Sequence, residues 1–382
     1  MSGKMRIRSI KLLSLRIPFR TEFSHSLSNR SQTESIVAVI EARDGIRGYG
    51  EGAPRSYVTG ESQEQSIAAA RVMARELFGA EIHSFEQVKR LLAELGSTKV
   101  ARENPAAWCS LELAMLDLWG KKERKSVWQL FIDKPKVTKL AYSAVIPLVK
   151  KEKLSQLLSL VKELSISFVK LKVGRPVDQT IRNLAAARET LGDSVSIRLD
   201  ANGAFTVSDC INLLNNTSEI KLSAIEQPVP KYDLLGLKKI ASVSDVPIIA
   251  DESLYTVEGA EYLIDNNICH GINIRISSCG GLIRALQLFK EAKKAGMICQ
   301  LGAHVGETAI LTAAGRALTA VVGTPKYLEG AAGTYLLLED VSNENISFQK
   351  GGYGSIFRKA GLGITVNHDV ICKRGTLSFS IQ

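Results

Sequence analysis

The chain has 382 residues, 45% hydrophobic and 23% charged, with a formal net charge of +10. That length exceeds one ordinary domain, and the composition fills a large core and excludes disorder. No apolar stretch approaches the roughly 18 residues of a membrane helix, and the basic start lacks a signal peptide's unbroken apolar region, which predicts a cytoplasmic protein with no membrane partner.

In chain order, three strands are predicted first, over 7–17, 35–44 and 46–54, with Asp44–Gly45 as the turn between the last two. Residues 61–95 have helical spacing and strong helix formers, and a further buried helix is predicted over 104–122. Together these make an α+β unit covering 1–125.

From about Leu140 the rhythm changes to alternating strand and helix. Strands are predicted at 141–146, 167–173, 195–200, 222–227, 247–251, 271–277, 297–302 and 326–330. Gly192 and Gly296 look like stops for two of the intervening helices. Eight such units favour a closed (β/α)8 barrel over 126–331, in the α/β class. No GxGxxG opens a helix after the first strand, which argues against a dinucleotide fold. The segment 332–382 is irregular and is expected to return to the N-terminal unit.

Lysines and arginines are dispersed, no basic run is interleaved with aromatics and no nucleic-acid motif is present, so no nucleic-acid partner is expected. The six cysteines form no CxxC pair and read as buried free thiols of a reducing compartment.

The chemistry concentrates at strand ends. In FVKLKV, alternation puts Lys170 and Lys172 on one face. Asp200, Glu226 and Asp251 then close successive apolar runs at a spacing of about 25–28 residues, the length of one barrel unit. Two lysines on a strand surface, or an aspartate capping a helix, would be the bland explanation. Three carboxylates converging at one rim would repel and raise one another's pKa. A divalent cation relieves that, and an all-oxygen set suits Mg2+, with Mn2+ as the other option.

With GYGEGAP, KLK, DANGAFT, EQP, ADES and NIRISSCGG in hand, the chain resembles the enolase superfamily, in its muconate-lactonizing-enzyme and dipeptide-epimerase branch. The resemblance implies a modified TIM (β/α)8 barrel under an N-terminal α+β capping domain. The cap's substrate loops would lie near 21–26 and 54–60, which brings in His25 and Tyr57. It further implies Asp200, Glu226 and Asp251 as Mg2+ ligands, Lys172 as acid/base, Lys170 on the substrate carboxylate and Asn202 supporting the rim. A homo-oligomer is usual among the proteins it resembles. The lysine-base, Mg2+-enolate mechanism belongs to that resemblance and is general to it.

Three departures bear on function. Arg275 stands where the branch has a second lysine, and arginine does not shuttle protons. It can instead stabilise an anion, stack on a substrate, or pair with a nearby acid. Glu329 is followed by Gly330 and Ala331 where dipeptide epimerases carry an Asp-x-Asp pair. His304, in LGAHVGET, is placed like the catalytic histidine of mandelate racemases, and Glu307 and Glu329 are further candidate substrate contacts.

The expectation is therefore a Mg2+-dependent isomerase or lyase acting on a small-molecule carboxylate by one-base cycloisomerisation or syn elimination. The first alternative is a racemase or epimerase of an amino-acid derivative or dipeptide, with Lys172 and His304 opposed. A non-catalytic protein binding anions or nucleic acid is the alternative of another class.

Overall fold

A computed structural model describes residues 5–25, 28–254 and 257–382, and of these the side chains of 21–29 and 257–258 are not described. The N-terminal unit opens with β1 (Met5–Leu15), β2 (Pro18–His25), β3 (Ser28–Gln32), β4 (Ser35–Ala42) and β5 (Arg47–Gly52). Next come α1 (Gln63–Leu77), β6 (Glu81–Ile82), α2 (Phe85–Gly96), α3 (Lys99–Glu103) and α4 (Pro105–Glu123). The β2–β3 hairpin corrects the three-strand expectation. Its residues are mostly polar and do not alternate, so no strand signal stood out.

Ser62 starts α1 with a reciprocal capping box to Gln65. Helix α4 is buried over sixteen residues because it lies flat on β5. Gly48, Gly50 and Gly52 face it, and a Cβ on Gly50 would fall 2.0 Å from the Ser110 carbonyl oxygen. The GYGEG motif is thus a contact surface for a helix backbone.

A short strand, β7 (Lys139–Ala141), precedes the barrel. The barrel strands are β8 (Ala144–Ile146), β9 (Phe168–Lys172), β10 (Ser196–Asp200), β11 (Leu222–Glu226), β12 (Ile248–Ala250), β13 (Gly271–Ile274), β14 (Ile298–Leu301) and β15 (Tyr327–Leu328). They form one parallel sheet in sequential order. Ser143 N donates to Leu328 O at 2.8 Å, joining the last strand to the first.

Between the strands run α5 (Lys151–Glu163), α6 (Val177–Leu191), α7 (Val207–Asn216), α8 (Leu234–Val243), α9 (Val257–Asp265), α10 (Ile276–Cys279), α11 (Leu282–Lys294) and α12 (Ala309–Val322). Gly192 ends α6 at φ +75° and Gly296 follows α11 at φ +74°. No α-helix directly follows β15. A 3-10 turn at Gly333–Tyr335 stands in its place, and this is the barrel's modification.

The remaining chain adds β16 (Tyr353–Ser355), paired with β7, then α13 (His368–Arg374) and β17 (Gly375–Ile381). Strand β17 pairs antiparallel with β1 as the edge of the N-terminal sheet.

Buried polar contacts fix the N-terminal unit over the barrel mouth. Glu51 accepts from Thr308 N and Oγ1 and from Leu311 N, so its carboxylate caps α12. Arg55, 1% exposed, donates to the Val305 carbonyl, and Ala53 N donates to Ser277 Oγ.

Candidate active site

Side chains two apart along the strands stack in layers inside the barrel. The lowest is apolar: Ala224, Ile249 and Tyr327 pack with Phe168 and Ile298 as a small cluster separate from the main core. Above it lie Lys170, Arg198, Glu226, Asn273, Gln300 and Glu329, all buried. At the rim are Lys172, Asp200, Asp251 and Arg275.

In the middle layer the Lys170 ammonium lies 2.6 Å from Glu329, 3.1 Å from Asp200 and 3.2 Å from Glu226. Burial opposes that charge, but Glu226, Glu329 and Asp200 together outweigh it and hold Lys170 above the ordinary lysine pKa. Asn273 and Gln300 donate to the two oxygens of Glu226 at 2.8 and 2.9 Å. Arg198 bonds Glu329, donates to Ser143 Oγ at 3.0 Å and lies 4.7 Å over the Tyr327 ring. Burial resists ionisation of Glu329, yet Lys170 and Arg198 bring its pKa down to about 2.

Asp200, at the rim, sits in register with Glu226 on the adjacent strand. Lys172 Nζ is 2.6 Å from Asp200 and donates to Asn202 Oδ1 at 2.7 Å. Asn202, at φ +44°, hands its amide on to Glu252 at 2.8 Å. An asparagine tolerates that left-handed backbone better than most residues. Against the cost of burial, Lys172 and Lys170 lower the Asp200 pKa, and burial raises that of Asp251 despite Arg275.

Arg275 binds Asp251 with two nitrogens, Nε at 2.9 Å from Oδ1 and Nη2 to Oδ2, and Nη1 donates to the Ala303 carbonyl at 2.8 Å. Its Nη2 is 3.6 Å from Glu226. His304, 4% exposed, meets Ser278 Oγ through Nε2 at 2.7 Å, and its backbone N–H donates to Glu307 at 2.7 Å. Burial, then Arg275, Arg55, Arg30 and Lys172, push the His304 pKa well down, so the imidazole is neutral. Burial raises Glu307 to about 8.

Lys170, Lys172, Asp200, Glu226, Asp251, Arg275 and Glu329 therefore share one charged network, with Asn202 bonded to Lys172. His304 and Glu307 form a separate pair beside it, and Tyr57 is half-buried in the turn after Arg55. The side chain of His25 lies outside the described residues. The sequence reading missed Arg198, Asn273 and Gln300, although each is a polar residue at an inward position of an apolar strand. That alternation was the available signal. Glu252 and Ser278, contributed by loop and short helix, lay inside ADES and NIRISSCGG, but no strand alternation marked them.

The donor chemistry fits a hard dication, being three carboxylates at the ends of neighbouring strands. As the side chains stand, cations separate those carboxylates. Among the described residues no group of three or more His, Cys, Asp or Glu is arranged to hold a metal ion. No described helix is long and apolar enough to cross a membrane.

Residues 8–131 match the model of the mandelate racemase / muconate lactonizing enzyme N-terminal domain, and residues 153–370 the enolase C-terminal domain-like model. The N-succinyl-L-Arg/Lys racemase of Bacillus cereus is 27% identical over 96% of this chain and 97% of its own. The crystal structure of that racemase superposes with a TM-score of 0.89 over 99% of both chains. The hydrophobic dipeptide epimerase of Enterococcus faecalis is 28% identical over 81% of this chain and 86% of its own. A dipeptide epimerase from the same organism, complexed with Mg and the dipeptide L-Leu-L-Tyr, superposes at TM-score 0.86 over 94% of this chain and 100% of its own. The muconate lactonizing enzyme of Pseudomonas fluorescens shares the fold at TM-score 0.88 and 22% identity, over 97% of this chain and 99% of its own. The chain belongs to the mandelate racemase / muconate lactonizing enzyme family of the enolase superfamily.

Proposed function

We propose that this protein is an isomerase or lyase that removes the proton alpha to a substrate carboxylate, with Lys172 as base and Asp200, Glu226 and Asp251 as the residues that would hold Mg2+. The observation that carries the reading is Lys172 at the rim, 2.6 Å from Asp200, on the strand whose other inward lysine lies among Glu329, Asp200 and Glu226. Bound Mg2+ supplies Lewis-acid charge to carboxylate oxygens as negative charge accumulates on them. Lys170 keeps its own positive charge one layer below, and its three acids hold it in place. The neutral amine form of Lys172 accepts the alpha proton, becoming an ammonium, and returns that proton on the same face. Arg275 holds its proton throughout, so no second shuttle stands at the end of strand β13. One-base cycloisomerisation or syn elimination follows.

A second reading, a racemase or epimerase of an amino-acid derivative, is favoured by the names of the relatives in Bacillus cereus and Enterococcus faecalis. It requires the neutral His304 to work opposite Lys172.

Incubating N-succinyl amino acids, dipeptides and unsaturated dicarboxylates with the protein and Mg2+ in D2O separates the two. Deuterium at the alpha carbon with retention, a cyclised product or loss of water supports one-base chemistry. Deuterium with inversion supports the second reading. Turnover undiminished after chelation would overturn the metal assignment. The same proposal includes a small-molecule substrate with no nucleic-acid or membrane partner, and a homo-oligomer, which light scattering tests. A cytoplasmic setting is supported by six free cysteines, five of them buried.

A further inference from the structure

Arg275 is anchored at three points. Nε and Nη2 grip both oxygens of Asp251, and Nη1 is fixed to the Ala303 carbonyl. Planar, two-pronged arginine–carboxylate contacts are strong and geometrically specific, and here the pair is buried, so removing one partner leaves the other charge uncompensated. The arrangement uses the Asp251 oxygens that a dication would need. The other two acids are engaged differently. Asp200 meets single-pronged lysines, and Glu226 is held mainly by the neutral amides of Asn273 and Gln300 together with Lys170.

We infer that Arg275 is an internal competitor for the cation site: a divalent ion binds only by displacing the guanidinium from Asp251, and Arg275 thereby sets metal affinity. This rests on the proposed assignment of Asp200, Glu226 and Asp251 as ligands. The competition is local. Nη1 is held by Ala303 and not by Asp251, so the contact an ion must break is the grip of Nε and Nη2 on that one carboxylate. Two consequences follow. Metal binding by this chain is weaker than its three carboxylates would give alone, and the loss traces to the geometry of the pair as well as to its charge.

Calorimetric titration with Mg2+, and electron paramagnetic resonance titration with Mn2+, on wild type, Arg275→Met and Arg275→Lys test this without any substrate. Arg275→Met should bind Mn2+ at least about ten-fold more tightly, since it frees both oxygens of a buried carboxylate. Arg275→Lys keeps the charge but loses the two-pronged grip, and should recover several-fold of that gain. Circular dichroism confirms that both variants are folded, and the conservative lysine variant guards against misfolding of the methionine one. Affinities equal to or weaker than wild type in both variants would overturn the inference while leaving the ligand assignment intact. A gain in Arg275→Met with none in Arg275→Lys would show that bulk charge alone acts, and would overturn it too. If neither wild type nor either variant binds Mn2+, the ligand assignment itself falls.

Discussion

On the barrel floor, Ala224, Ile249 and Tyr327 meet Phe168 and Ile298 with no charge among them. Two residues further along the same strands, Lys170, Glu226, Gln300 and Glu329 are buried in one ionic network. The backbone is continuous, and the charged level is at least as buried as the floor, where Phe168 and Ile298 are only partly covered, so burial does not account for the difference and side-chain chemistry does. Apolar packing at the floor stabilises the cylinder directly. Burying paired charges at the next level is at best neutral for stability, and well-packed apolar residues would often do better. A chain that keeps four cationic and four acidic groups at such a level and the rim above it keeps them for chemistry.

The comparison breaks first at Lys170. Replacing it with methionine leaves Glu226, Glu329 and Asp200 facing one another, so Lys170→Met should lose about 3–5 kcal/mol of stability, read by denaturant unfolding, together with activity. Tyr327→Ala tests the floor. It should cost about 3 kcal/mol through the cavity it opens, yet activity per folded molecule should stay within a few-fold of wild type. Loss of activity without loss of stability in that variant would mean that the layers do not divide the work as described.

A smaller effect concerns Glu307, which Glu51, Arg55, Arg275 and the His304 backbone face. Burial raises its folded pKa to about 8, well above the ordinary glutamate value. A raised carboxyl holds its proton more tightly when folded. Its contribution is therefore full below the unfolded value and is lost as pH rises toward 8. Melting temperatures across that window should fall more for wild type than for Glu307→Gln, and parallel curves would contradict the assignment.

Much of this was legible from residues. All eight barrel strands lie within the predicted stretches, because parallel strands covered on both faces are rich in apolar residues, here interrupted at inward positions by the polar residues of the site. The acids at strand ends stood out against those stretches. The β2–β3 hairpin was hidden because Pro18–His25 and Ser28–Gln32 carry little apolar alternation. The partner of Arg275 was also out of reach. Sequence placed Arg275 and Asp251 on neighbouring strands, but which acid a long side chain reaches is decided in three dimensions. Glu51 was likewise visible only as part of a motif, whereas its task, capping α12 from another part of the chain, needed the fold.

The central claim is that Lys172 takes the alpha proton. Hydrogen–deuterium exchange at the alpha carbon of a turned-over carboxylate, followed by proton NMR in D2O with Mg2+, tests it most directly. The wild-type protein should exchange the proton, and Lys172→Ala should slow exchange by at least about a thousand-fold with an unchanged circular dichroism spectrum. Exchange at the wild-type rate in Lys172→Ala would contradict the account.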